Sequence, residues 1–116
     1  MSADTTIYVI DEIVALPGRG REVLDAYRER YAPGAEARGM TLDRILVSPP
    51  MWLDDDTNTI LITWTLKGAP NWWAMSFRSR NDPAVADWWA EVDEMIVRRS
   101  RHFATAEADM AEITNV

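Results

Sequence analysis

"TILITWTL", residues 59–66, places Ile60, Ile62, Trp64 and Leu66 on one side of an extended chain and Thr59, Leu61, Thr63 and Thr65 on the other. Side chains alternate across a strand, so the segment reads as a β-strand with one strongly apolar face and one mixed face. Helices suit the first face. What covers the second decides how the fold is completed.

Working toward the N-terminus, "PPMWLDDDTN" (49–58) reads as a loop or wide hairpin turn and "MTLDRILVS" (40–48) as a second strand. "DDDTN" (54–58) begins like a calcium loop, but Thr59 stands where the turn glycine belongs and Thr65 where the bidentate glutamate belongs, so it is a polar turn. Before it, Val23, Leu24, Tyr27, Tyr31 and Ala35 recur at three- and four-residue spacing, predicting an amphipathic helix from Glu22 to Arg38. Pro33 should kink that helix, and Gly39 is its stop. "PGRGR" (17–21) is a turn, and "TTIYVIDEIVAL" (5–16), rich in β-branched residues, is a first strand.

Toward the C-terminus, "KGAPN" (67–71) opens the segment "NWWAMSFRSRNDPAVADWWAEV" (71–92), which carries two Trp-Trp pairs. "RNDP" (80–83) interrupts and restarts the helix, with Asp82 as N-cap and Pro83 at the first helical position. Adjacent helical residues point about 100° apart, so one narrow stripe cannot bury both indoles of a pair. Trp72 and Trp88 are expected in the core, with Trp73 and Trp89 on a flank. "IVRRSRHFAT" (96–105) reads as the last strand and "AEADMAEITNV" (106–116) as an acidic tail, a short helix or an arm.

The order β-α-β-β-α-β predicts an α+β, ferredoxin-like subunit: an antiparallel sheet with helices on one face. A single domain over 1–116 is expected, with its core at about 6–105. The other sheet face, with Tyr8, Ile10, Val14 and Leu61, is half apolar, and 116 residues offer no third layer. A second copy of the chain is the natural cover, giving a homodimer in which two sheets close a barrel.

The net charge of −7 argues against nucleic acid and anionic membrane surfaces as partners. The absence of cysteine excludes disulfide and thiolate chemistry, and a single histidine makes a histidine-built metal site an unpromising reading. No cofactor and no metal are expected. The N-terminus lacks a signal-peptide pattern, and no apolar run approaches a membrane span, so a cytoplasmic location is the expectation.

The opening "IVALPGRG", the helix "YRERYAPGAEARGM" leading into a strand, and "WWAMSFRSRNDPAVADWWAEV" before a last strand together resemble the dimeric α+β barrel superfamily, most closely its NIPSNAP-like and polyketide-cyclase-like members. The similarity spans roughly residues 6 to 105. The superfamily includes cofactor-free monooxygenases, cyclases, lactone isomerases, haem-degrading enzymes and regulatory ligand-binding domains. The resemblance therefore implies a fold and not an activity. It also implies a site between sheet and helices, facing Ile7, Val9, Asp11 and Ile13.

On that face Asp11 is the conspicuous residue. A carboxylate buried among apolar groups without a cation becomes a usable general acid or base; paired with an arginine, it is structural. His102, in the last strand, is the other candidate for acid–base work, although a facing that buries Phe103 turns His102 away. Tyr27 and Tyr31 could offer hydroxyls to a ligand oxygen, or simply pack. Val9, Trp64, Trp73, Phe77 and Trp89 would complete an apolar pocket for a small, ring-bearing metabolite. Arg78, Arg80, Arg98, Arg99 and Arg101 could hold a substrate anion or pair with surface carboxylates. The expected function is a small cofactor-free enzyme acting on an apolar oxygenated metabolite by proton transfer, as an isomerase, cyclase or dehydratase. A cofactor-free monooxygenase and a non-catalytic binding or assembly domain are the alternatives.

Overall fold

The computed structural model describes residues 5–111. Four strands, β1 (Thr6–Ala15), β2 (Thr41–Ser48), β3 (Thr59–Lys67) and β4 (Ile96–Thr105), form one sheet in the order β2-β3-β1-β4. The neighbouring pairs are all antiparallel. Helices α1 (Gly20–Ala26) and α2 (Ala32–Ala37) precede β2, and α3 (Ala69–Arg80) and α4 (Pro83–Val92) precede β4. This is the ferredoxin-like α+β arrangement that the sequence predicts, with strand limits within a residue or so of those read from it.

Alternation governs the sheet. Ile7, Val9, Asp11 and Ile13 of β1 are buried, as are Ile60, Ile62, Trp64 and Leu66 of β3. All of these but Ile7 and Asp11 join Val23, Leu24, Tyr27 and Tyr31, Met75, Trp88 and Val92 from the helical segments in one apolar core. On the opposite face Tyr8, Ile10, Glu12, Leu61 and Thr63 keep partial exposure.

The expected helix 22–38 is a composite. Between α1 and α2 the chain makes a π turn over Tyr27–Tyr31, in which the Ala32 N–H donates to the Tyr27 carbonyl. Pro33 explains its place. A proline lacks the N–H for the regular bond and its ring crowds the carbonyl four residues back, so the preceding turn widens. The widened turn still buries Tyr27 and Tyr31, whose ring centroids lie 4.9 Å apart.

The break between α3 and α4 follows the local chemistry. Asp82 caps α4, accepting from the Ala84 N–H at 3.0 Å, and Pro83 occupies its first turn. The tight turn after β1 needs Gly18. Its φ is +75°, and a Cβ there would sit 2.5 Å from the Asp54 carbonyl oxygen. The loop 49–58 is pinned by buried Asn58, which donates to the Met51 carbonyl at 2.8 Å and accepts from the Leu53 N–H at 3.0 Å. Beyond β4, residues 107–109 form a single 3-10 turn. The rest of the expected tail arm, 112–116, lies outside the described residues.

Among the described residues, no helix is long and apolar enough to cross a membrane, and no group of three or more His, Asp or Glu side chains is placed to hold a metal ion.

Candidate functional site

The register of β1 with β4 sets Asp11 opposite Arg101 and Ile10 opposite His102. Arg101 therefore shares the helix-facing side of the sheet with Asp11, while His102 faces away with Ile10. The two residues expected to share acid–base work do not meet, because one strand step separates the faces. Phe103 lies two residues beyond Arg101 and pairs with Val9, on the helix side.

Asp11 is 1% exposed and does not lie there without a cation. Arg101 grips it with two bonds, Nε to Oδ1 at 2.6 Å and Nη2 to Oδ2 at 2.7 Å. The Tyr27 hydroxyl donates to the same Oδ2 at 2.8 Å and accepts from Trp64 Nε1 at 2.6 Å. Arg101 Nη2 also donates to the Tyr31 hydroxyl at 2.7 Å. The result is a chain of hydrogen bonds from β3 through the π turn to β1 and β4. Bidentate guanidinium–carboxylate geometry of this kind fixes orientation as well as supplying energy.

The protonation states follow from that packing. Burial foremost, then the negative charge of Asp11, push the Tyr27 phenol well above its ordinary range, although the Trp64 bond acts the other way. Burial opposes the charge on Arg101, but the hydrogen bond and Coulomb attraction from Asp11 outweigh it and hold the guanidinium firmly protonated.

Aromatic faces frame this pair. The Arg101 guanidinium lies 5.4 Å from the Tyr31 ring centroid and 5.7 Å from that of Trp89. Arg38 covers Tyr31 at 5.5 Å and Arg99 covers Trp89 at 4.3 Å. Cations and rings thus alternate along the edge where α2, α4 and β4 meet.

Two clefts adjoin Arg101. The larger, about 240 Å³, lies between α3 and β4 and is lined by Trp72, Trp73, Met75, Ser76, Ser79, Arg80, Arg101 and Phe103. The smaller, about 80 Å³, is lined by Asp11, Trp89, Arg99, Ser100 and Arg101. Arg101 has five N–H donors. Those on Nε and Nη2 are engaged, while Nη1 makes no hydrogen bond among the described residues. The site thus offers a half-buried, oriented cation with free donors beside an aromatic cleft.

The residues expected to line one pocket are therefore divided. Trp73 and Trp89 line clefts. Val9, Tyr27 and Trp64 are 0%, 1% and 0% exposed, closed in the core, so the expected wall joining Trp64, Trp73 and Trp89 is replaced by packing. Tyr31, 3% exposed, is also core, although its hydroxyl reaches Arg101. Phe77 is 67% exposed on the outside of α3. Trp88 is buried, Trp89 packs partly against the core and Trp73 is exposed, as expected, but Trp72, expected in the core, is only partly buried against it.

Ser76 and Ser79 carry no sequence signal that would single them out. Arg101 does: two residues before an inward Phe103, it must face inward too.

The fold is that of a known class. A NIPSNAP family protein of unknown function from Agrobacterium tumefaciens matches with a TM-score of 0.67 at 12% identity, over 87% of each chain. An uncharacterised NIPSNAP domain protein from Burkholderia xenovorans matches with a TM-score of 0.66 at 14% identity, over 88% of this chain and 95% of that one. A protein from Nitrosomonas europaea, provisionally described as an antibiotic biosynthesis monooxygenase, matches with a TM-score of 0.59 at 9% identity, over 90% and 92% of the two chains. The fold read from the sequence is thus found: a ferredoxin-like α+β domain of the kind seen in NIPSNAP and antibiotic-biosynthesis-monooxygenase-like proteins. No protein-family profile matches the chain, and neither does any curated protein sequence.

Proposed function

We propose that the chain is a small cofactor-free enzyme that binds an apolar, ring-bearing metabolite through an anionic or carbonyl oxygen and moves a proton next to that oxygen. The observation that carries this reading is the Arg101 guanidinium. One edge is fixed by Asp11 and Tyr31, its Nη1 donors are free, and an aromatic cleft lies beside it. A donor held in place before the reaction stabilises the charge that develops on a carbonyl oxygen at little cost in reorganisation.

In the reaction, a carbon-bound proton next to the carbonyl passes to water in the cleft, the C–H electron pair moves onto the carbonyl oxygen, and Arg101 Nη1, held in place by buried Asp11, binds the resulting enolate. Returning the proton at another carbon gives isomerisation; attack of the enolate on a second carbonyl gives cyclisation. Water is a weak base. The reading therefore favours an acidified C–H, one flanked by carbonyl groups. Tyr27 and Tyr31 position the pair, and His102, on the other sheet face, takes no part.

The test begins with native mass spectrometry of the purified protein to identify a bound metabolite. That compound, incubated with the protein in D2O, should take up deuterium at the carbon beside its carbonyl. Arg101→Met should reduce the exchange by roughly 10²–10³-fold, the scale of losing one oxyanion donor. Exchange unaffected by Arg101→Met refutes the proposal.

The structural likeness to the Nitrosomonas europaea protein favours one second reading, a cofactor-free monooxygenase. Oxygen consumed in step with the substrate supports it over proton transfer. Binding with neither exchange nor oxygen uptake indicates a domain that only binds.

A further inference from the structure

We propose that Trp72 Nε1 and Ser76 Oγ form a second polar anchor in the α3–β4 cleft, which selects a ring-bearing anion that also carries a neutral acceptor oxygen. The proposal rests on Arg101 as holder of the anionic end and names the class of molecule that end belongs to.

Trp72 Nε1 and Ser76 Oγ are both buried, and neither has a hydrogen-bond partner. A buried polar group left unpaired costs about 1–3 kcal/mol, so native structures rarely keep two side by side without a use for them. Both residues line the 240 Å³ cleft. They are four residues apart on α3 and so lie one turn apart on the same helix face. Trp88 Nε1 and two nitrogens of Arg38 are also unpaired, but those residues do not line this cleft.

The chemistry of the pair defines what it takes. An indole N–H only donates, and a hydroxyl can donate too, so their shared partner is an acceptor oxygen. Neither atom carries charge, whereas the β4 wall carries Arg101 and the end of α3 carries Arg80. The cleft is thus polar in two ways: cationic at one place, and a neutral donor at another. Its remaining walls are rings. Trp72 and Phe103 meet edge to face, with centroids 5.4 Å apart and planes at 67°. Trp72 and Trp73 lie 4.5 Å apart. An apolar cavity of roughly 150 Å³ accommodates benzene. The present cleft therefore has room for one ring substituted at both ends, or for two fused rings. Trp72 also borders a second crevice, of about 150 Å³, with Ile7, Phe103, Ala104 and Thr105. Its indole borders open space in two clefts, and in the proposed complex the ring turns to bring Nε1 to the occupant.

The inferred ligand is an aromatic or fused-ring carboxylate or enolate with a ketone or ester oxygen elsewhere on the ring. Isothermal titration with 3- and 4-acetylbenzoate, and with the isopropyl counterparts that keep the shape but lack the acceptor, tests it. The wild type should bind at least one acetyl compound about tenfold more tightly than its isopropyl partner, the scale of one hydrogen bond to a buried donor. Ser76→Ala and Trp72→Phe should each shrink that ratio, and the double variant should erase it. Arg101→Met should weaken all the probes alike and leave the ratio in place. An acetyl preference that survives the double variant, or is absent from the wild type while Arg101→Met still weakens binding, overturns the second anchor and spares Arg101. Binding indifferent to Arg101→Met, or no binding of any probe to the wild type, overturns both. If Trp72→Phe lowers the melting temperature sharply, Ser76→Ala alone decides.

Discussion

Replacing Asp11 by Asn keeps the side chain's shape and removes its charge, and the structure fixes the cost. The carboxylate accepts three hydrogen bonds, two from Arg101 at 2.6 and 2.7 Å and one from Tyr27 at 2.8 Å. An amide offers one accepting oxygen, and its NH2 group points a donor at donors. The Tyr27 hydroxyl can turn and accept, but the Arg101 N–H groups cannot. Breaking a buried ion pair from one side costs about 3–5 kcal/mol. Arg101 keeps 23% of its side chain exposed, so water recovers part of its solvation and the lower end, about 3 kcal/mol, applies. For a domain of this size that corresponds to a fall in Tm of roughly 10–15 °C. Urea unfolding at pH 7, followed by tryptophan fluorescence and circular dichroism, measures it. Arg101→Met in the same background completes a double-mutant cycle. The two substitutions should be strongly non-additive, because each removes the same interaction. An Asp11→Asn variant as stable as the wild type, or more stable, refutes the reasoning and returns Asp11 to the role of an unpaired acid or base.

Three further outcomes are expected. The folded state holds the Tyr27 proton more tightly than the unfolded chain does, so its contribution to stability is complete below the unfolded value of about 10 and declines as pH rises above it. Wild-type stability should therefore fall more steeply than that of Tyr27→Phe in unfolding curves above pH 10; parallel slopes contradict this. Trp88→Ala should cost about 3–5 kcal/mol, whereas Trp73→Ala, at a position 60% exposed, should change stability by less than about 0.5 kcal/mol; similar losses in thermal melts would show that Trp73 packs as core. The half-apolar sheet face with Tyr8, Ile10 and Leu61 should be covered by a second copy, so light scattering should give a dimer or a multiple of one at micromolar concentration; a monomer mass rejects the pairing.

Local periodicity was enough to read much of this protein. Strict alternation in 59–66 and 5–16 defines two strands and their apolar faces, and three- and four-residue spacing defines the helices. Pro33, Gly39 and the Asp82–Pro83 step mark where the helices bend, stop and restart. These features are legible because each depends on backbone geometry within a few residues. The same 100° step separates buried Trp88 from half-buried Trp89, and half-buried Trp72 from exposed Trp73.

The site was only half legible. Asp11 could be placed on the inner face, but not its partner, since Arg101 lies 90 residues away and any of several arginines could have filled the role. The β1–β4 register makes that choice. A slip of one residue would have turned Arg101 to the open face and brought His102 against Asp11, reversing the chemistry at the site. Nor could the sequence show that Tyr27 and Trp64 would use their polar atoms on each other and on Asp11 and close the core, leaving the cleft between α3 and β4. Those outcomes depend on how the helices settle on the sheet, a matter of packing between distant segments that no local pattern encodes.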